Sequence, residues 1–259
     1  MKSRGVDFFT FGSSFRFGII FFFTLLLSVP SSRAETASET YKKLDAEFSK
    51  AQLEFSQKYQ AAKTDEERQK ISATYPQPGQ HSPAFLALAE ENPRTPVAED
   101  ALLWIVSHDR QSPTVNKALL ILAKDHLQSP RLGEACQSLV YSQGKEAENF
   151  LRTVLEKNPA HQAQGMAAMS LGQFLRNQAQ SGNPAEAEKL FEKVVADFAD
   201  VKGYRGTLGE AAQAQLYEIR NLSIGKVAPE IEGQDVDGKN FKLSEYRGKV
   251  VVLDFWGDW

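Results

Sequence analysis

Between Ser82 and Pro184 the chain sets a helix-capping residue directly before a proline at Ser82-Pro83, Thr95-Pro96, Ser112-Pro113, Ser129-Pro130 and Asn183-Pro184. This device constrains the fold more than any other feature. The side-chain oxygen of Ser, Thr or Asn can accept an unpaired backbone N–H at a helix start. Proline at the next position lacks the N–H that would go unpaired there. Each pair therefore predicts a helix beginning, and Glu186 is placed three residues after Asn183 to complete a capping box. The pairs from 82 to 129 are 13 to 17 residues apart, one short helix plus a turn. From Glu35 to Leu222 the apolar period is 3.6 and strand signals are absent. The first run, with Tyr41, Leu44, Phe48, Leu53 and Phe55 among Lys and Glu, predicts one long amphipathic helix.

A longer phrase recurs. Phe85 to Leu103 and Phe150 to Leu171 each carry an apolar helix ending in Asn-Pro, at 92–93 and 158–159. In each, an alanine follows eight residues later, Ala101 and Ala167, so the offset is 66 residues, or two helix pairs of about 33. A third pass lies between them, and a fourth, with a longer turn, starts at Ala185. Period and small-residue placement resemble tetratricopeptide-type helical hairpins, without their Trp-Leu-Gly-Tyr signature. One such hairpin cannot bury its apolar face, whereas stacked neighbours can. Residues 35–222 are therefore expected to form a TPR-like array, either binding a peptide or another domain or serving only as a packing platform.

Residues 1–34 read differently. Lys2, Arg4 and Arg16 precede an apolar run from Phe17 to Val29, then Pro30 and Ser32-Arg33-Ala34. This is the pattern of a secretory signal peptide, with an uncleaved N-terminal anchor as the alternative. Thirteen apolar residues are short for a membrane span. The expected destination is the periplasm, across the inner membrane, with membrane attachment only if the signal stays uncleaved. Cleavage would remove Lys2, Arg4, Arg16, Arg33 and Asp7, leaving 26 basic against 32 acidic residues, a net charge of -6 instead of -3. No basic stripe is present, which argues against nucleic acid as a partner. His81, His108, His126 and His161 are scattered and no HExxH occurs, so no metal and no cofactor is expected. The one cysteine, Cys136, lies at helical spacing from Leu132, Leu139 and Val140 and reads as a small core residue.

At Ser223 the periodicity changes. Asp237-Gly238 is a hairpin-turn signal between EIEGQDV and KNFKL. Ser244 is placed to cap one short turn, ended by Gly248. Val250 to Phe255 is a nearly continuous apolar run, of the kind buried on both faces in the centre of a sheet. Without neighbouring strands among these 259 residues it is expected to be poorly packed or opportunistically docked, and sticky.

In order, this segment holds Gly225-x-x-Ala228-Pro229, Asp237-Gly238, Leu243-Ser244-x-x-Arg247-Gly248-Lys249, the apolar run, and Phe255-Trp256-Gly257-x-Trp259. The series resembles the start of a thioredoxin-like redoxin domain. The nearest group is the extracytoplasmic thiol-disulfide oxidoreductases of the TlpA/ResA type, within the AhpC/TSA and redoxin superfamily. The resemblance covers Gly225 to Trp259. It implies that residues 223–259 are the first β-elements of an incomplete α/β thioredoxin-like domain, in a chain otherwise mainly α. It also implies a Cys-x-x-Cys motif whose nucleophile would follow Trp259. Trp256 and Trp259, with Phe255, would form an aromatic collar beside that site. Asp254 stands where thioredoxins carry an acid and where TlpA/ResA-type proteins are expected to carry Asn. There it would shuttle a proton to or from the resolving thiol; the alternative is an ordinary strand carboxylate.

These readings yield three functional expectations. The first is part of a secreted thiol-disulfide oxidoreductase acting on protein thiols and disulfides or on a partner redox protein, with the reactive cysteines absent from these 259 residues. Exchange needs an attacking and a resolving sulfur, so this stretch alone is expected to be inactive. The second is a non-catalytic extracytoplasmic helical-repeat binding module. The third is a peroxiredoxin-type antioxidant protein, against which the Trp-Gly-x-Trp phrase argues.

Overall fold

A computed structural model describes residues 36–109, 112–178 and 183–256. The signal-like residues 1–34, together with Gly257 and Trp259, lie outside the described residues. Ten α-helices occur among those described: α1 Ala37–Ala61, α2 Asp65–Ser72, α3 Pro78–Glu91, α4 Pro96–His108, α5 Pro113–Asp125, α6 Leu132–Ser138, α7 Lys145–Lys157, α8 His161–Asn177, α9 Pro184–Asp197 and α10 Leu208–Tyr217. A π-helical turn, Glu218–Leu222, follows α10, and Ser223 is extended. The protein is mainly α, as the periodicity predicts.

Three of the cap–proline pairs start helices as expected. Thr95 accepts the Ala98 N–H at 3.3 Å, Ser112 that of Thr114 at 3.2 Å, and Asn183 that of Glu186 at 3.2 Å. The other two are corrected. α3 begins at Pro78, so Pro83 lies inside the helix, where it forfeits a backbone hydrogen bond. Ser82 is buried and donates back to the Pro78 carbonyl at 3.1 Å. The earlier proline had already supplied the helix start. At Ser129-Pro130 the α-helix begins only at Leu132. Ser129 joins two layers instead, since its hydroxyl donates to Glu99 of α4 and accepts the Arg131 N–H. Complete capping boxes occur elsewhere, at Thr36/Glu39, Thr64/Glu67 and Thr207/Glu210. The box expected at Asn183 stays half closed, because Glu186 meets the Asn183 side-chain amide and Arg152 rather than the cap N–H.

Helices adjacent in sequence mostly pack together. α3 lies on α4, α4 on α5, α7 on α8, α8 on α9 and α9 on α10. α5 also packs on α7, and α6 fills in against α8 and α4. One continuous core results, from Phe48 through Leu102, Leu122, Leu151, Leu171 and Phe191 to Leu216. At its N-terminal end Trp104 stacks between Phe85 (centroids 3.9 Å apart) and His108 (4.5 Å), and its Nε1–H donates to Asp45 at 3.1 Å. Leu53 of α1 is exposed, against expectation. It follows Phe48 by five residues, about 140° round the helix and off the stripe that Tyr41, Leu44 and Phe48 bury.

Polar ties between layers recur at a regular distance along the chain. Ser129–Glu99 spans 30 residues, Arg131–Asp100, Asn158–Leu127 and Arg94–Asp125 each 31, Arg220–Glu188 32 and Arg152–Glu186 34. That distance is about one helix pair, so polar contacts fasten successive pairs to one another. Two ties are longer, 39 residues at His161–Asp200 and 42 at Arg176–Glu218.

The Arg152 tie has a pH signature. Its guanidinium reaches Glu148 and Glu186 at 2.7 Å each, and it holds the Glu186 carboxyl below its ordinary value of 4.5. A carboxylate whose pKa is lowered by folding stabilises the fold above its unfolded pKa. That contribution fades as the pH falls through the lower folded value. Glu186→Gln is therefore expected to lose about 0.2–1 kcal/mol at pH 7, the range for a partly exposed pair. The gap to the parent protein should close on acidification, as urea midpoints across the acid range would show. A gap independent of pH would assign the loss to packing instead.

Candidate functional site

The residues that carry the redoxin resemblance begin at Gly225, after the last helical turn. Glu232–Gln234 (β1) and Asn240–Lys242 (β2) pair antiparallel, with Gly233 opposite Phe241. The Phe241 ring lies across Gly233, where a Cβ would come within 3.3 Å of it. The turn is at Asp237-Gly238, as predicted, with Gly238 at φ +78°. A left-handed residue at the end of the turn lets the strands fold back, and glycine adopts it without steric penalty. Asp235 was not singled out by the sequence motifs. Its Oδ1 accepts the N–H groups of Asp237 (3.0 Å) and Lys239 (2.8 Å), which organises the whole turn. The signal was present, since Asp two residues before a turn centre commonly caps it this way.

A 3₁₀ turn, Leu243–Tyr246, follows β2 directly. Ser244 does not cap it by its side chain. Its backbone N–H instead donates to Glu230 Oε1 at 2.9 Å, and the contact with Ser244 holds the Glu230 carboxyl below the usual range. The Leu243 N–H donates to the Ile231 carbonyl, extending the hairpin ladder by one rung. These bonds bring motif residues distant in sequence around one small cavity of about 220 Å3, lined by Val227, Ala228, Glu230, Leu243, Ser244 and Arg247. The Ala-Pro and Leu-Ser-x-x-Arg phrases thus meet in space.

The remaining sequence-predicted site residues are not gathered there. Residues 250–256 have no strand partner among the described residues. Val250 is 98% exposed, Phe255 80% and Trp256 84%, and Asp254 is exposed too. Burial on both faces belongs to such a run inside a full sheet; among these residues it is expected to lack neighbouring strands and to pack poorly, and it does. An apolar strand is buried only where strands on both sides and a covering layer exist. Trp259 lies outside the described residues.

Cys136 sits in α6, fully buried, and burial pushes its thiol pKa far above the ordinary range. It is the chain's one cysteine. A thiol held protonated in a core is a poor nucleophile, so the core reading of Cys136 holds. Among the described residues, no group of three or more His, Cys, Asp and Glu side chains is placed to hold a metal ion. Among them, too, no helix is long and apolar enough to cross a membrane.

Comparison with known proteins gives short matches of one kind. The chain is 42% identical over 53 residues to thiol-disulfide oxidoreductase ResA of Geobacillus thermodenitrificans, a match covering 20% of this chain and 30% of that protein. It is 45% identical over 47 residues to ResA of Bacillus thuringiensis subsp. konkukian, covering 18% and 27%. To ResA of Bacillus anthracis it is 45% identical over 38 residues, covering 15% and 22%. The chain thus spans less than a third of the length of the curated relatives it matches. No protein-family profile and no solved structure matches it. Part of the chain is similar in sequence to thioredoxin-like thiol-disulfide oxidoreductases.

Proposed function

We propose that residues 223–259 belong to a thioredoxin-like redox domain, and that the protein exchanges thiols and disulfides with other proteins outside the cytoplasm. The similarity to ResA-type oxidoreductases carries this reading. The convergence of the Ala-Pro and Leu-Ser-x-x-Arg phrases on one cavity agrees with it. The resemblance would place the two reacting sulfurs in a Cys-x-x-Cys motif after Trp259, and Cys136, single and buried, would not take part.

In such a domain the first thiolate attacks a client disulfide, forms a mixed disulfide and releases one client thiolate. The second thiol then displaces the other client sulfur, closing the enzyme disulfide. A helix N-terminus favours the attacking thiolate. Asp254 would take the proton of the resolving thiol, and Trp256 and Trp259 would flank the cysteines. The helical part, residues 35–222, would hold the client.

Insulin reduction by dithiothreitol, with the protein extended through the codons after Trp259, tests this. Exchange is expected to survive Cys136→Ser, to vanish when the first cysteine of the pair becomes serine, and to occur without peroxide consumption. Loss of activity in Cys136→Ser, or no reduction by the parent protein, would sink the reading.

A second reading keeps one specific observation. The helical core is continuous from Phe48 to Leu216 and takes nothing from residues 223–256. It is the core of a binding module that needs no redox chemistry. A stop codon after Trp259, with no cysteine pair in any frame, would favour it.

A further inference from the structure

Two cavities of about 240 Å3 and 360 Å3 share Gln137, Met166, Gly203 and Tyr204, and so form one groove. Its walls are α6, α8 and the segment from Lys202 to Leu208 that leads into α10. Met166 and Met169 line it, and unbranched, polarizable side chains of this kind adapt to varied apolar partners. Ser170 is only 2% exposed yet lines the cavity, and its hydroxyl has no hydrogen-bond partner among the described residues. The hydroxyl oxygen is open to the groove, where water or a polar group of a bound segment would pair it. The amides of Gln162 and Gln173 line the two cavities without a hydrogen bond to other described residues. Gln137 meets only the Met166 sulfur, at 3.8 Å. Side-chain amides offer a donor and an acceptor each, the complement of an extended peptide backbone.

The rim is pre-organised. Tyr204 is 92% exposed but stands on a loop tied by Gly203 N–H to Gly206 O (3.1 Å) and Leu208 N–H to Val201 O (2.8 Å), with Phe198 and Val201 buried beneath. An exposed tyrosine on a tied loop gives contact area with little backbone ordering on binding. Arg205 lies 5.9 Å from the Tyr204 ring, and neither Arg205 nor Lys202 has a carboxylate partner among the described residues. The acid on the opposite wall, Glu134, is paired with Arg131. Arg131 is shared with Asp100 and Glu99, so the unpaired positive charge is that of Lys202 and Arg205, on the loop side of the groove.

We propose that this groove binds an extended segment of a partner polypeptide bearing acidic and apolar side chains. The backbone would meet the glutamine amides and Ser170, apolar side chains would lie on the methionines and Tyr204, and carboxylates would face Lys202 and Arg205. The proposal locates the client-holding surface of the helical part, and rests on the oxidoreductase reading only for calling the partner a client.

Fluorescein-labelled, reduced and carboxymethylated α-lactalbumin is a suitable probe, being unfolded and acidic. In fluorescence anisotropy the full chain is expected to bind it and to prefer it to reduced, carboxamidomethylated ribonuclease A, which is unfolded and basic. Tyr204→Ala and Arg205→Glu are each expected to weaken binding about tenfold, the scale of an anchor residue. Tyr141→Ala, an exposed tyrosine away from the groove, should bind like the parent. Both rim positions are solvent-facing, so circular dichroism should be unchanged. No binding by the parent chain, equal binding by the rim variants, or preference for the basic probe would overturn the proposal. The assay reads no thiol chemistry, so insulin reduction can fail while this binding stands, and the reverse.

Discussion

Asn158→Leu is expected to lower the unfolding free energy by about 3 kcal/mol, and the melting temperature by roughly 6–12 °C for a chain of this size. Asn158 is buried at the end of α7. Its Nδ2 donates to the carbonyls of Leu127 (2.7 Å) and Ser129 (2.8 Å), and its Oδ1 accepts the Ala160 N–H (2.8 Å). One side chain thus pairs three backbone groups and joins the α7–α8 turn to the α5–α6 turn. Leucine of similar volume would leave all three without a partner in a region that excludes water. Asn158→Asp should be no milder at neutral pH, because a carboxylate cannot donate to two carbonyls. It should recover in part on acidification, when the protonated acid regains one donor.

Asn92 occupies the matching place in the repeated phrase and makes a useful contrast. Its Nδ2 donates to the Leu88 carbonyl of its own helix at 2.8 Å. Asn92→Ala is expected to lose about 0.5–1.5 kcal/mol, the net value of one ordinary hydrogen bond. Urea unfolding followed by circular dichroism would measure all three variants. If Asn158→Leu fell within about 1 kcal/mol of Asn92→Ala, the stitch between turns would not be what matters.

Gly172→Ala should destabilise the protein by about 1–3 kcal/mol, although alanine in a helix interior is ordinarily favoured over glycine by about 1 kcal/mol. Gly172 lies well inside α8, facing α9. A Cβ there would come within 2.7 Å of Phe191 Cε1 and 3.0 Å of Cζ. That ring is fully buried, so it gives way only by displacing its neighbours in the core. Steric overlap at that range outweighs the gain in helix propensity. Phe191→Leu removes the obstructing atoms and leaves its own gap. The double variant should therefore be more stable than the sum of the single losses allows, by about 1 kcal/mol or more, as contacting pairs couple. Additive losses would show that the contact is relaxed elsewhere.

These two positions show where reading along the chain stops. Asn92 and Asn158 sit in one repeated phrase and are indistinguishable in sequence, yet one serves its own helix and the other holds a neighbouring turn. Nothing in the local pattern marks Gly172, because its meaning lies in a residue of the next helix. The same holds for Ser129, which looks like a cap and acts as a tie to Glu99. The groove at Tyr204 was equally hidden, since its lining comes from α6, α8 and the loop before α10. In the C-terminal segment the hairpin turn was legible at Asp237-Gly238, but the convergence of Ala228, Glu230, Leu243, Ser244 and Arg247 was not.

The sequence by itself determined the mainly helical class, the helix starts at Pro96, Pro113 and Pro184, the core placement of Cys136 and the hairpin after Ile231. These follow from interactions within a few residues: capping hydrogen bonds, the proline ring, hydrophobic period and turn conformation. The tertiary structure alone decided which proline starts α3, which asparagine is a stitch and which glycine is a close contact. The exposure of Val250 to Phe255 was legible in the sequence. Its residues favour a strand, but without neighbouring strands it is expected to pack poorly, because burial is a property of the surface that meets a segment.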